Sequence, residues 1–395
     1  MKKINLSDLL KRRPTSEESF QLIESNDLSE LFQIASELRD RGHGNIVSYS
    51  RKIFIPLTKL CRDVCHYCTF SRSPRKNQRS YMTPDEVMGL VRQGEKFGCK
   101  EALFTLGDKP ELRYGSARKE LKKLGHETTL SYLSETAGRV MRETSLLPHI
   151  NAGVMPADEL RNLRKVSVSQ VLMLESVSQH LQQKGGPHHG SPDKVPGVRM
   201  ENIRLAGAEK IPFTSGILIG IGETREERIQ ALLALRELQD EYGHLQEIII
   251  QNFKAKQGTP MENSPEPSIK EISWSVAIAR ILFGPEMNIQ IPPNLNPGHL
   301  RTLVDSGIND WGGISPLTPD HVNPEAPWPE ISRLSQIMGE CGKVLAERLP
   351  VYPNYALSGK VWIDDTVAPF LLNSMDQQGF AREDGWAPGQ ASIPQ

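Results

Sequence analysis

Three cysteines fall within eight residues, in the segment Cys61-Arg-Asp-Val-Cys65-His-Tyr-Cys68. Thiolates are soft donors that suit iron–sulfur clusters and zinc. A short loop with this spacing can wrap three corners of an iron–sulfur cubane. Three ligands instead of four leave one iron open to an external molecule. Zinc is the competing reading and needs a fourth ligand, such as His66 or Cys99. Structural zinc sites usually present paired C-x₂-C knuckles, and this stretch holds one such pair. Three buried, inert thiols are the bland alternative. The remaining cysteines, Cys99 and Cys341, read as core residues. Five cysteines in a chain of 395 residues do not suggest a disulfide framework.

The elements around this loop must hold it in place. Strand-like apolar runs occur at 53–57, 102–106, 148–152, 171–174, 213–219, 248–252, 287–291 and, weakly, 311–315. Several are nearly continuous in hydrophobicity, as strands covered on both faces tend to be. Helical stretches separate them. Thr83-Pro84-Asp85-Glu86 is a capping box with proline at the first helical position, followed by Val87, Leu90, Val91 and Gly94 on one face. Thr224 with Glu227, and Ser268 with Glu271, are further boxes. The alternation predicts a parallel sheet with covering helices. Seven or eight repeats over about 265 residues predict an α/β fold, a TIM-like (β/α) barrel, complete or slightly open. Unusual residues cluster just after the strands, on the face of a barrel that hosts chemistry. Residues 1–46 read as a helical extension with a start near Asp27 and Glu30, 47–325 as the barrel core, and 326–395 as a C-terminal helix and tail. Within the last part a helix is expected from about Glu330 to Arg348, its apolar face at Ile331, Leu334, Met338, Cys341 and Leu345. Residues 315–329 read as a long ordered loop, and 375–395 as a loosely held tail. No internal repeat or low-complexity run is present.

Lys and Arg number 47 against 48 Asp and Glu, for a net charge of −1. That balance argues against a bulk electrostatic nucleic-acid binder. No apolar run approaches the roughly 20 residues that span a bilayer, and the first residues lack the apolar stretch of a signal peptide. A cytoplasmic protein is the expectation, with no membrane partner.

The C-x₃-C-x₂-C spacing with an aromatic before the last cysteine, after a first strand, resembles the radical S-adenosylmethionine superfamily. The resemblance implies one [4Fe-4S] cluster on Cys61, Cys65 and Cys68, whose open iron chelates S-adenosyl-L-methionine. It implies cleavage of that cofactor to methionine and a 5′-deoxyadenosyl radical, which takes a hydrogen from substrate. Relatives carry a Gly-Gly-Glu-Pro-like turn after the second strand; here it reads Gly107-Asp108-Lys109-Pro110. Gly216, Leu218, Gly220 and Glu223 match the adenine-side pattern of the fifth strand, where glycine allows close backbone approach. Glu175-Ser176 resembles the ribose contact, and a helix cap explains it as simply. Tyr67 matches the aromatic beside the cluster, and Arg199 or Arg204 the arginine near the cofactor's carboxylate.

Longer strings narrow the family. FIPLTKLCRDVCHYCTFSR, EALFTLGDKPE, HINAGVMP, MLES with PHHGSPDK downstream, TSGILIGIGET, QNFKAKQGTPM, PPNLN and NDWGGISPLTPDHVNPEAPWP together resemble the 7,8-didemethyl-8-hydroxy-5-deazariboflavin synthases of the CofG type. The likeness runs from about residue 47 to about residue 385. It implies closure of the deazaflavin ring of FO, the coenzyme F-420 chromophore, with loss of ammonia. The implied substrate is 5-amino-5-(4-hydroxybenzyl)-6-(D-ribitylimino)-5,6-dihydrouracil, supplied by a CofH-type coupling enzyme, and a low-potential electron donor is needed. The extension resembles the one that precedes this module in fused two-module proteins. No second cysteine triad follows, so a single module is expected. A uracil and a ribityl chain call for many hydrogen bonds. His149, Asn151, Asn252, Lys254, Asn294, Asn296 and Asp310 near strand ends are the candidates, and Trp311 could stack on a ring; turns and caps would explain each one locally. A general acid or base is needed for ammonia loss, and His149, Asp310, Glu175 and His321 are its open candidates.

Two readings compete. A radical enzyme of another cofactor pathway, such as the coupling enzyme or a biotin-synthase-like sulfur inserter, keeps the chemistry; sulfur insertion would need a second cysteine group. A zinc-stabilised binding module changes the class. The basic run Arg72, Arg75, Lys76 and Arg79 reads as a solvated loop or as a docking patch for an acidic donor. His188-His189 reads as part of a covering loop.

Overall fold

A computed structural model describes residues 4–25 and 27–383. Eight parallel strands close into a barrel: β1 (Ile46–Pro56), β2 (Glu101–Thr105), β3 (Leu147–Asn151), β4 (Ser169–Val171), β5 (Phe213–Ile219), β6 (Leu245–Asn252), β7 (Ile289–Gln290) and β8 (Asp310–Ile314). Each strand pairs with the next, and β1 pairs with both β2 and β8, which closes the ring. All eight expected strands are present, with bounds shifted by a few residues. The three capping residues are also found. Thr83 and Thr224 form complete boxes. Ser268 accepts from the Glu271 amide, but the Glu271 carboxylate leaves to pair with Arg225 and Arg228 on the neighbouring helix.

Strand β1 is longer than its apolar run suggests, and its lower half has a second neighbour. Residues 46–49 pair with β9 (Val344–Glu347), and residues 52–56 pair with β2 on the same side. The changeover is sharp: the Tyr49 carbonyl accepts from the Arg348 amide at 2.7 Å, and the Arg51 carbonyl from the Lys100 amide at 3.0 Å. This corrects the expected helix to Arg348. The helix spans Ile331–Glu340 and stops at Gly342, whose φ of 69° favours glycine. Leu345 therefore lies in a strand, and Cys341 is a half-buried cap residue.

The extension is continuous with the barrel core. In helix Leu28–His43, capped by Asp27, Leu31, Ile34, Ala35 and Leu38 are buried. That face packs on helix Ile269–Phe283, which is buried almost all round. Each such aliphatic side chain stabilises the pair by about 1.5–3 kcal/mol when fully covered. At the lower end of the barrel, Leu349, Val351, Tyr352, Tyr355 and Ile363 pack against Met141, Leu147 and Val168. Residues 315–329 form an ordered loop, pinned where Asp320 accepts from the Val322 and Asn323 amides and the Trp328 indole donates to the Thr318 carbonyl. An antiparallel bridge joins Met375 to Ala381; the rest of the expected tail, 384–395, lies outside the described residues. Among the described residues no helix is long and apolar enough to cross a membrane.

Candidate active site

The cysteine loop leaves the upper end of β1 and is tied down along its length. The Gly107 amide donates to Thr58, Met82 to Leu57 and Arg72 to Lys59, all backbone bonds of 2.8–3.0 Å. Gly107 has to be glycine, because a Cβ there would run into the Leu60 carbonyl and Cys61 Cα. This close approach lets the Asp108 amide donate to Cys61 Sγ at 3.3 Å. A second segment, 187–193, braces the other side. Pro187 accepts from the His66 amide, and Ser191 Oγ accepts from the Val64 amide and lies 3.6 Å from Cys65 Sγ. Cys65 and Cys68 border an apolar wall of Tyr67, Leu181, Leu218, Ile221 and Phe253. All five cysteines are free, and Cys99 is buried just before β2. Burial pushes the Cys61 thiol up to about 12 and the Cys65 thiol to about 11. Thiols in that state give up their protons to a bound metal centre.

Beside the loop lies a buried polar hub. Glu175 holds φ at 67°, unusual for a non-glycine. Its backbone continues the sheet, the amide donating to Gly216 and the carbonyl accepting from Leu218. Its carboxylate accepts from the Tyr67 hydroxyl at 2.7 Å and from Lys194, with His188 Nε2 at 3.1 Å and Arg199 at 3.8 Å. Burial works against that charge, but Lys194 and Arg199 outweigh it and hold the carboxyl well below the usual range. Asp108 sits nearby. A side chain at Gly153 would collide with it, and it accepts from the Val154 amide and from Lys109. Its Oδ2 is buried with no hydrogen-bond partner among the described residues, Arg62 Nε standing 3.6 Å off. Burial and the neighbouring Asp193 push this carboxyl up. The cradle therefore offers three thiols, an unpartnered carboxyl oxygen and an apolar wall, a donor set that fits an iron–sulfur cluster with an amine-bearing cofactor beside it.

Other expected contacts have local work. Ser176 Oγ accepts from the Ser178 amide in a turn. Gly216 admits β6, since a Cβ would strike the Ile249 carbonyl. Gly220 has φ of 90°, and Glu223 accepts from the amides of Gly220 and Ile221, shaping the turn after β5. Lys194, His188, Asp193 and Ser191 were not singled out as cofactor contacts in the sequence; the string PHHGSPDK was the signal.

Inside the barrel the strands alternate, and inward residues line a cavity of about 180 Å³. Lys52, Glu247 and Arg348 line it low down, Thr105, His149, Asn151, Gln251 and Gln290 line the wall, and Asp320, His321, Asn323 and Trp328 from the proline-rich loop roof it. Phe54 and Trp328 stack with ring centres 5.4 Å apart. Of the expected substrate contacts, His149 and Asn151 reach this cavity. Asn296 donates to Asn252 at 2.7 Å, and Asn294 anchors the roof through Asp320 and the Ala326 carbonyl. Three placements differ from expectation. Lys254 pairs with Glu266 at the surface. Asp310 lies beneath the cavity, paired with Arg348 at 2.7 Å. Trp311 follows Asp310 on the opposite face of β8 and is fully buried outside the barrel, its indole N–H on Met338 Sδ at 3.4 Å; the aromatic rings that line the cavity are those of Phe54 and Trp328.

Residues 55–235 match the Radical SAM superfamily. The chain is 47% identical over 375 residues to the FO synthase of Mycobacterium tuberculosis, covering 91% of this chain and 44% of that protein. The figures for the FO synthase of Streptomyces coelicolor are 46% identity, 92% and 43%. The chain thus spans less than half the length of these relatives. It is 45% identical over 337 residues to the 7,8-didemethyl-8-hydroxy-5-deazariboflavin synthase of Methanopyrus kandleri, covering 85% of this chain and 100% of that protein. Its fold is that of methylornithine synthase, TM-score 0.67 at 19% identity over 87% of this chain and 97% of that one. The hydrogenase maturase HydG gives a TM-score of 0.71 at 16% identity, over 94% and 82%. With the cysteine loop, the glycine-framed cradle and the closed barrel in place, the match across the whole of the Methanopyrus protein is decisive: the chain belongs to the 7,8-didemethyl-8-hydroxy-5-deazariboflavin synthase family within the radical SAM superfamily.

Proposed function

We propose that the chain closes the deazaflavin ring of FO, for coenzyme F-420, from 5-amino-5-(4-hydroxybenzyl)-6-(D-ribitylimino)-5,6-dihydrouracil with loss of ammonia. Cys61, Cys65 and Cys68 hold a [4Fe-4S] cluster. Tyr67, Gly107, Asp108, Glu175, Ser176, Arg199, Gly216, Leu218 and Gly220 frame the S-adenosylmethionine site, and Lys194 and His188 join them. When bound, these cofactors supply a 5′-deoxyadenosyl radical that takes a hydrogen from the substrate. The protein's part is to place substrate and exclude water. Asn151, Gln251, Gln290 and Thr105 offer the cavity wall's hydrogen bonds to a uracil and a polyol, and Phe54 with Trp328 offers an aromatic face to the hydroxybenzyl ring. A CofH-type coupling enzyme supplies the adduct, and a low-potential donor supplies the electron.

The observation that carries this reading is the cavity inside the barrel, its wall set with polar side chains, in a chain that matches the whole length of a deazariboflavin synthase. The test is anaerobic reconstitution with iron and sulfide, then incubation with S-adenosylmethionine, a reductant and the coupling enzyme supplied with tyrosine and the diaminouracil. Deazaflavin fluorescence is expected. Cleavage of S-adenosylmethionine without any deazaflavin refutes the substrate, and a colourless zinc protein refutes the cluster.

A further inference from the structure

The lower part of the barrel carries more charge than a packed interior usually holds. Lys52 on β1, Glu101 on β2, His149 on β3, Glu247 on β6, Asp310 on β8 and Arg348 after β9 are all buried. Most of them neutralise one another. Lys52 Nζ lies 2.8 Å from Glu101, Ser50 donates to the same carboxylate, and Arg348 joins Asp310 to Glu247. Burial opposes the Glu101 charge, but Lys52 and the His149 hydrogen bond overcome it and keep the carboxyl ionised. One group is left with half its bonding capacity unused. His149 Nδ1 lies 3.0 Å from Glu101 Oε1, its ring borders the cavity, and its Nε2 is buried with no hydrogen-bond partner among the described residues.

An ionised carboxylate can only accept, so Nδ1 carries the hydrogen and Nε2 holds a lone pair. A lone pair with no partner among the described residues, on the border of the barrel cavity, is what a general base requires. The other open candidates are less suited. Asp310 is committed to Arg348 and Ser48, and Glu175 to Tyr67 and Lys194. His321 also lines the cavity with an unpartnered Nε2, but it lies in the roof loop, edge-on to Phe70, and among the described residues no carboxylate hydrogen-bonds its ring as Glu101 does that of His149.

We infer that His149 is the proton-transfer residue of the ammonia-losing step, with Glu101 as its positioning residue. The inference rests on the ring-closing reading above. Nε2 takes a proton from a carbon beside the amine-bearing carbon, and the C–H electron pair becomes the new C=C bond. The C–N bond breaks with its pair on nitrogen, which takes the proton back from the imidazolium. Ammonia leaves, the imidazole returns to its starting state, and no electron is gained or lost. Burial lowers the affinity of His149 for a proton, Lys52 and Arg348 lower it further, and Glu101 raises it; on balance it falls below the ordinary value of 6.5. The base form is therefore present at neutral pH.

The test uses the reconstituted protein with the coupling enzyme. For H149Q, iron loading is expected to persist and 5′-deoxyadenosine to be released. Deazaflavin is expected to fall about 100-fold or more while an amine-retaining product accumulates. For E101Q, the group that raises the His149 proton affinity is gone, so the acid limb of the deazaflavin pH profile should move to lower pH as the plateau drops. A purely structural role for Glu101 would lower the plateau and leave the limb in place. Deazaflavin at the wild-type rate in H149Q overturns the assignment while the ring-closing reading stands. If H149Q does not fold, E101Q decides, and an unmoved limb overturns the assignment. No deazaflavin from the wild type overturns the ring-closing reading and this inference with it.

Discussion

Among single residues, the cysteines carry the sharpest expectations. Replacing Cys61, Cys65 or Cys68 by Ala should abolish iron loading, because three thiolates leave no spare ligand. Cys99→Ala should keep full iron content and lose about 1 kcal/mol of stability for a small buried cavity. Iron assay and thermal melting read both results. Trp311 tests the corrected placement. Trp311→Phe removes the indole N–H that meets Met338 Sδ and leaves a cavity outside the barrel, so it should cost about 1–3 kcal/mol of stability and leave substrate KM unchanged. A raised KM with unchanged stability would return Trp311 to the substrate site. The cysteine triad was legible as a candidate ligand set because soft donors at fixed spacing have few other uses. Trp311 was misplaced because proximity to a strand end says nothing about which face a side chain takes, and one residue of parity reverses it. Lys254 lies off the cavity lining for a related reason, since a long side chain past a strand end reaches its nearest countercharge, Glu266.

At the scale of elements, the strands were legible from their apolar runs, and the capping residues marked where several helices begin. Strand β9 was not. Leu334, Met338, Cys341 and Leu345 keep helical spacing straight through Gly342, and only the φ of 69° there shows that the helix has ended. Strand β1 was called short because Ser48, Ser50 and Lys52 interrupt its hydrophobicity; these residues face Asp310 and Glu101 across the barrel interior. The junction of β5 and β6 supplies a test of close approach. At Gly216 an added Cβ would meet the Ile249 carbonyl, backbone against backbone, where no rotamer change gives relief. Gly216→Ala should therefore part the two strands locally and lower the melting temperature of the protein without any cofactor present. An unchanged melting temperature would assign the glycine to cofactor clearance alone.

For the whole molecule, the barrel was readable but its charged interior was not, because Lys52, Glu101, Glu247 and Arg348 look like surface residues until the ring closes around them. The same burial makes the assembly sensitive to acid. His43 joins the N-terminal extension to the barrel, its Nε2 3.2 Å from the Met287 carbonyl, and His244, just before β6, packs against the rings of Phe213 and Tyr242. Burial lowers both to about 4, from an ordinary 6.5. Between those values the unfolded chain binds protons that the folded chain refuses, so stability from these groups is complete above 6.5 and is lost as pH falls towards 4. Glu247 works the other way. Burial raises it to about 7, so the folded chain binds its proton first and gains stability on acidification. Because these contributions oppose each other, the acid sensitivity is read from a difference. His244→Phe keeps an aromatic ring against Phe213 and Tyr242 and removes one titration. Whatever the new ring does to packing is independent of pH. The stability of the variant relative to the wild type should therefore rise by up to about 3 kcal/mol as pH falls through this window, measured by urea unfolding at each pH. A difference that stays constant with pH would show that His244 titrates alike in the folded and unfolded chain, and that its burial costs nothing in acid.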